Sequence, residues 1–167
     1  MRGYLAVILF LACLGAGAGP LAAQDAGIGV GASAPAVKVN DLDGKPVDLA
    51  QYIGKKPVFL EFWATWCELC KELLPRVRAA RAAYGSEVEF IGINVSVNQS
   101  RDRVRRYLEA EKPPFRTLYD DEGTSTRAYE VPATSYVVIV DRSGKVAYTG
   151  SGGSQEFDRV LQRVSRK

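Results

Sequence analysis

Two cysteines separated by two residues stand where an apolar run gives way to a helical pattern, and that placement constrains this chain more than any other feature. Pro57-Val58-Phe59-Leu60-Glu61-Phe62-Trp63 is nearly continuous in apolar residues, as a strand buried on both faces requires. From Cys67 to Tyr84 the residues Leu73, Leu74, Val77, Ala80 and Ala83 recur at helical spacing. A Cys-x-x-Cys pair at such a strand-to-helix junction reads as a redox motif. Free N–H groups and the positive dipole end of the helix favour the first sulfur as thiolate, the form that attacks disulfides. The second sulfur, one turn later, lies close enough to close a ring with the first.

Composition removes competing chemistries. The 167 residues include no histidine, which excludes Ser-His and Cys-His dyads, His-ligated haem and imidazole ligands for zinc or copper. Zinc generally needs four ligands, and the only cysteine besides Cys67 and Cys70 is Cys13, in an N-terminal apolar stretch. A purely structural disulfide closing so short a loop would constrain little chain entropy. The net charge of +3, from 22 basic and 19 acidic residues, is too small to argue for nucleic acid, and basic residues do not interleave with aromatic ones. No cofactor follows from the sequence, and the length suits one domain with a real core.

Residues 1–23 read as an export signal. Arg2 supplies a positive start, Leu5 to Leu14 an apolar run, and Gly15 to Ala23 mostly small residues. Ala16-Gly17-Ala18 fits a small-x-small cleavage site, and cleavage after Ala23 fits as well. Retention as a membrane anchor is the alternative, because the 19 residues from Leu5 to Ala23 are enough to span a bilayer. Lipidation at Cys13 has little support, since Phe10-Leu11-Ala12-Cys13 is a poor lipobox. Each outcome places the domain outside the cytoplasm, in a compartment such as the bacterial periplasm where disulfides persist.

Residues 24–34, rich in Gly and Ala, read as a linker. Ala36 to Asn40 and Lys45 to Leu49 flank Asp41-Leu42-Asp43-Gly44, a hairpin signal. Pro75 should kink the helix that begins near Cys67, and Gly85 should end it. Val88 to Val95 reads as a second buried strand, Ser100 to Glu111 as a helix stopped by Pro113-Pro114, Arg116 to Tyr119 as a short strand and Thr124 to Tyr129 as a short helix. Tyr136 to Val140, the turn Asp141-Arg142-Ser143-Gly144 and Lys145 to Thr149 form a hairpin, and Gln155 to Val164 a final helix. Alternating strands and helices closed by an antiparallel hairpin imply an α/β fold with a mixed central sheet covered on both faces.

These residues resemble the thioredoxin superfamily, and most of all its exported TlpA/ResA-like thiol:disulfide oxidoreductases. Trp63-Ala64-Thr65-Trp66-Cys67 with Cys70 is similar to the active-site motif of that branch, Pro75 to its helix proline, and Tyr129-Glu130-Val131-Pro132-Ala133-Thr134 to its cis-proline loop. Asp141, Gly144 and Val146 are similar to the hairpin that follows, and the stretch between Glu89 and Asp121 to the strand-helix insert of the branch. The resemblance implies a thioredoxin-like domain over residues 35–167. It implies Cys67 as the exposed nucleophile and Cys70 as the more buried resolving thiol. It implies a cis bond at Pro132 that leaves the backbone of Val131 open to an extended substrate, with Trp66 shaping the same surface.

Glu61 stands out on physical grounds, as the sole charge in an apolar strand. Strand alternation puts it on the face of Trp63. A carboxylate buried there without a cation has a raised pKa and could accept the proton of Cys70. Pairing with Lys55 or Lys56 is the competing expectation. Thioredoxins carry an acid, usually Asp, at the matching place six residues before the first cysteine. The chain departs from the family in two places: Leu69 replaces the common proline before the second cysteine, and Leu73 stands where ResA-like members often carry an acid. Glu72 is one place early, a rotation of about 100° on a helix. Glu68, between the cysteines, should oppose the thiolate, and Arg101, Arg103, Arg105 and Arg106 read as a solvated helix face.

The expected activity is dithiol–disulfide exchange with protein substrates, with a membrane redox partner resetting the pair. The resemblance favours a reductant, with apocytochrome c maturation as a role. A peroxiredoxin-type thiol peroxidase is a rival on the same fold, but its proline-threonine-cysteine loop is missing around Cys67. A copper-delivery protein is another, and generally wants a histidine beside its cysteines.

Overall fold

The computed structural model describes residues 27–166. The export segment and Cys13 lie outside the described residues. Seven strands form one sheet: β1 (Lys38–Asn40), β2 (Pro46–Asp48), β3 (Val58–Trp63), β4 (Glu89–Asn94), β5 (Arg116–Tyr119), β6 (Tyr136–Val140) and β7 (Val146–Ser151). Four helices accompany them: α1 (Glu68–Tyr84), α2 (Arg101–Glu111), α3 (Thr124–Ala128) and α4 (Asp158–Ser165). The spatial order is β2-β1-β5-β4-β3-β6-β7. β3, β4 and β5 run parallel, while β6, β7, β1 and β2 join antiparallel, so the sheet is mixed as the closing hairpin requires.

β3 lies at the centre because its sequence offers no face to water. All six of its residues are buried, and it pairs with β4 on one edge and β6 on the other. Its side chains alternate between two clusters. Phe59 packs with Leu73, Val77 and Ala80 of α1 and with Phe157, Leu161 and Val164 of α4. Leu60 and Phe62 face the other way, toward Val39, Tyr129 and Val138. Each fully buried side chain of this size contributes roughly 1.5–3 kcal/mol relative to exposure. The 3-4-3 spacing of buried Cys70, Leu73, Val77 and Ala80 gives α1 a single inward stripe, of which Leu73, Val77 and Ala80 join the Phe59 cluster and Cys70 the cluster of Trp63. The helix runs on through Pro75.

Both hairpins close by the same chemistry. Asp41 Oδ1 accepts from Asp43 N–H and Lys45 N–H at 2.9 Å each. Asp141 Oδ1 accepts from Ser143 N–H at 2.8 Å and Lys145 N–H at 3.0 Å. Gly44 and Gly144 supply the left-handed φ of 81° and 83° that completes each turn.

Two expectations need correction. Residues 27–34 are not a free linker. Ile28 N–H donates to Tyr129 O, Gly31 N–H to Val146 O, Val146 N–H to Ala32 O and Ala34 N–H to Gly144 O, at 2.8–3.2 Å. Ile28 and Ala34 are buried. The segment thus covers the start of β7, an edge strand whose backbone would otherwise be open to pairing. The last helix begins at Asp158 rather than Gln155. The Gln155 side chain is used instead to tie loops, donating to Ser135 O at 2.9 Å and Gly152 O at 2.8 Å.

Candidate redox site

Cys67 is the N-cap of α1, held in extended backbone (φ −80°, ψ 105°) where β3 has ended. A turn joins the two elements: Cys67 N–H donates to Ala64 O at 3.2 Å, with Thr65 and Trp66 between them. The Cys67 sulfur accepts from Cys70 N–H at 3.1 Å, one of the N–H groups that a helix start leaves without an internal partner. Cys67 and Cys70 are joined as a disulfide with Cα atoms 5.3 Å apart. After reduction, the same N–H and the helix start would stabilise negative charge on Cys67. Glu68 is drawn to Lys71 at 2.7 Å, which offsets its charge beside the sulfurs, although both side chains are largely exposed and the pair stabilises little.

The expected contrast in exposure between the cysteines is absent, at 4% for Cys67 and 5% for Cys70. The exposed groups are their neighbours, Trp66 at 40% and Leu69 at 47%. The disulfide therefore sits among apolar side chains rather than standing above them. Trp66 Nε1–H donates to Val97 O at 2.8 Å, and Thr65 N–H donates to Gln99 Oε1 at 3.0 Å. Trp63 is buried against Tyr107 of α2 and Phe115, with ring centroids 5.2 and 5.8 Å away.

Pro132 and Val131 also depart from expectation. No cis peptide bond occurs among the described residues, so the bond before Pro132 is trans. The chain turns by other means: Glu130 and Ser135 adopt left-handed φ of 51° and 61° on either side of the proline. Val131 N–H is already taken by Thr126 O at 3.0 Å, which leaves only the Val131 carbonyl to pair with an extended segment. The loop still stands at the redox end of the sheet, because Tyr136 at its exit pairs with Phe62. Gln155 and Gly152 brace it from the β7–α4 connection through Ser135. Glu72 lies against Gly153 of that same connection, where a Cβ would come 2.4 Å from its carboxylate.

Glu61 is buried, and the competing lysine does not reach it. Lys56 pairs with Glu89 instead. Glu61 is 2% exposed, and its Oε2 has no hydrogen-bond partner among the described residues. Its strand neighbours are Gly92 and Val137. A Cβ on Gly92 would lie 2.3 Å from the Phe115 ring, so the missing side chain is what lets that ring lie over the sheet beside Glu61. Along β3, Glu61 stands between Phe59, which shares a cluster with Leu73 and Val77 of α1, and Trp63, which shares a cluster with Cys67 and Cys70.

Burial without a partner pushes the Glu61 carboxyl up from 4.5 to about 8. The folded chain then holds a proton that the unfolded chain releases near 4.5. Between about pH 4.5 and pH 8 the native state binds more protons, so this group's contribution to stability is full at low pH. It falls by up to about 1.4 kcal/mol per pH unit as the pH rises through the window. Urea unfolding of the oxidised protein across this range should show wild-type stability falling relative to Glu61→Leu, with the variant the more stable at pH 8. A variant less stable than wild type at pH 8 would mean that an attractive partner holds the carboxylate.

Gln99, Val97 and Gln155 carry no signal in the sequence that marks them as parts of the site. Val97 and Gln99 each act through one bond to a residue far away in the chain, and Gln155 through its amide bonds to Ser135 O and Gly152 O. Arg101 and Arg105 are also more engaged than a solvated face suggests. Arg101 binds Asp121 at 2.5 Å and lies over the Tyr119 ring at 4.8 Å, and Arg105 binds Asp43 at 2.9 Å.

Comparison with known proteins agrees with this geometry. The Redoxin family matches residues 29–162. The thiol-disulfide oxidoreductase ResA of Bacillus subtilis is 30% identical over 130 residues, covering 77% of this chain and 71% of its own. A secreted Mycobacterium tuberculosis disulfide oxidoreductase homologous to Escherichia coli DsbE superposes with a TM-score of 0.65 at 25% identity, over 78% of this chain and 95% of that one. The exposed lipoprotein thioredoxin of Streptococcus pneumoniae superposes with a TM-score of 0.63 at 26% identity, over 77% and 96%. With a disulfide at the start of α1, a mixed sheet behind it and these relatives, the chain belongs to the Redoxin family, among its thioredoxin-fold, ResA-like thiol-disulfide oxidoreductases.

Proposed function

We propose that the chain works outside the cytoplasm as a reductant of protein disulfides, with Cys67 attacking, Cys70 resolving and Glu61 taking the proton of Cys70. The observation that carries the role assignment is the Cys67 sulfur at the helix start, accepting the Cys70 N–H. In the reduced chain the Cys67 thiolate attacks one sulfur of a substrate disulfide. The substrate S–S bond breaks, a mixed disulfide forms and one substrate thiolate leaves. Cys70 then gives its proton to the Glu61 carboxylate and attacks the Cys67 sulfur. The second substrate thiolate departs, and two electrons have passed to the substrate. The Cys67–Cys70 disulfide is the product state. A carboxyl pushed up to about 8 titrates far closer to the range of thiols in general than an ordinary carboxyl does, which suits it to exchange a proton with one.

Stopped-flow mixing with a peptide disulfide tests these roles together. Cys70→Ser should accumulate the mixed disulfide through Cys67, and Cys67→Ser should not. Glu61→Leu should slow release from the mixed disulfide roughly 10²-fold or more, as loss of a general base does, and change the first attack much less. Equal trapping by both serine variants would sink the cysteine assignment. Wild-type resolution in Glu61→Leu would remove the acid from the chemistry.

The direction of electron flow rests on the resemblance to the exported ResA-like branch, which supports a reductant, with cytochrome c apoproteins as a substrate class and a membrane donor to reset the disulfide. Equilibration with glutathione should give a potential below about −230 mV, on the reducing side of glutaredoxins. A value near that of a strong oxidant, about −120 mV, would reverse the reading.

Location outside the cytoplasm is supported by residues 1–23 and by relatives described as secreted or exposed. Fusing those residues to a reporter active only after export should give activity. A silent fusion that accumulates in the cell would refute it.

A further inference from the structure

One loop holds both central residues of the turn that ends at Cys67. Thr65 and Trp66 lie between Ala64, whose carbonyl accepts, and Cys67, whose N–H donates. Thr65 N–H donates to Gln99 Oε1 at 3.0 Å, and the Trp66 indole donates to Val97 O at 2.8 Å. Both acceptors come from residues 95–100, between β4 and α2. This loop is itself fixed from below. Asn94 Oδ1 accepts from Ser96 N–H at 3.1 Å, the Ser96 hydroxyl donates to Asp120 O at 2.9 Å, and the Tyr119 hydroxyl donates to Gln99 O at 2.9 Å. Ser96 and Asn98, on either side of Val97, take left-handed φ of 61° and 54°, a conformation unfavourable to residues other than glycine. The strained backbone bends the loop so that it meets the turn.

The Gln99 contact is specific in its polarity. Thr65 is buried, so its N–H depends on a protein acceptor. Reversing the Gln99 amide would set its NH2 against Thr65 N–H, donor against donor, which fixes the oxygen on the turn. The turn in turn sets where the Cys67 sulfur stands relative to the N–H groups of α1.

We propose that Gln99 is a positioning residue for the redox reaction: its amide oxygen, through Thr65 N–H, fixes the Ala64–Cys67 turn and so sets how readily Cys67 becomes a thiolate. The proposal rests on Cys67 being the attacking sulfur. Gln99→Met keeps the length of the side chain and removes the acceptor. Gln99→Glu keeps the acceptor.

The test is the pH dependence of iodoacetamide modification of Cys67 in the reduced full chain, read from the Cys67 peptide by mass spectrometry. Acrylamide quenching is the second readout, and it reports Trp66 because Trp63 is buried. Gln99→Met should raise the midpoint by about half a pH unit, lowering the thiolate fraction below it about threefold, and should make Trp66 easier to quench. Gln99→Glu should leave Trp66 quenching at the wild-type level. Its charge should move the midpoint by an amount that shrinks with added salt, whereas the Gln99→Met shift should not respond to salt. A Gln99→Met protein that melts earlier yet keeps the wild-type midpoint would make Gln99 merely structural and overturn the proposal. Equal loosening of Trp66 in both variants would overturn it too. A different result, an ordinary thiol midpoint for Cys67 in the wild type, would remove the attacking sulfur and the proposal with it.

Discussion

The chemistry of this chain depends on β3 being unable to move. It is hydrogen-bonded along both edges and covered on both faces, so the point where it stops is fixed relative to the whole sheet. The first residue of α1 comes five positions beyond the last residue of β3, and α1 is pinned by Leu73 and Val77 to the same strand. Little freedom remains for the residues between. A sulfur placed as the N-cap there is held against unpaired N–H groups without further machinery. The redox motif follows from a strand-to-helix junction that the hydrophobic core has made rigid.

The same rigidity exposes the conflict at Glu61. An apolar residue there would be the stable choice, since the acid is buried with one oxygen unpartnered among the described residues. The neighbouring architecture deepens the burial. Gly92 clears space on one side, and the Phe115 ring fills it. Phe115 also packs against Trp63, which packs against Tyr107. A carboxyl kept this dry holds its proton up to about pH 8, near the range where thiols titrate. The structure gives up stability above pH 4.5 to keep an acid in its central strand.

Most of the fold is legible in the sequence because its signals are local. The apolar run at Pro57–Trp63, the helical repeat after Cys67 and two Asp-x-x-Gly turns each declare an element through its own residues. The cysteine pair and the buried Glu61 are legible for the same reason. What the sequence hides is held by backbone or by single distant bonds. Residues 27–34 dock through main-chain hydrogen bonds that Gly and Ala do not advertise. The bond before Pro132 is trans because Glu130 and Ser135 turn the chain, and neither residue type signals a left-handed φ. Gln155 looks like the start of a helix until its amide is seen tying Ser135 to Gly152. Nor can the sequence show that Trp66 and Leu69 are exposed while both sulfurs are buried in the disulfide form.

The β4–α2–β5 segment joins these features. Its helix supplies Tyr107 and the approach to β5 supplies Phe115, which together with Trp63 form the aromatic cover on the Glu61 face. Its first loop supplies Val97 and Gln99, which hold the turn before Cys67. One segment thus bears on both the dryness of Glu61 and the setting of the turn before Cys67. Arg105 anchors its helix to the β1–β2 turn through Asp43 and Leu42 O, and Arg101 anchors its start to Asp121. A segment tied down at its margins can hold a strained loop against the active-site turn, because the bonds around it supply what an isolated loop would lack. Substitutions in this segment are therefore the ones expected to retune the cysteine pair without touching either sulfur.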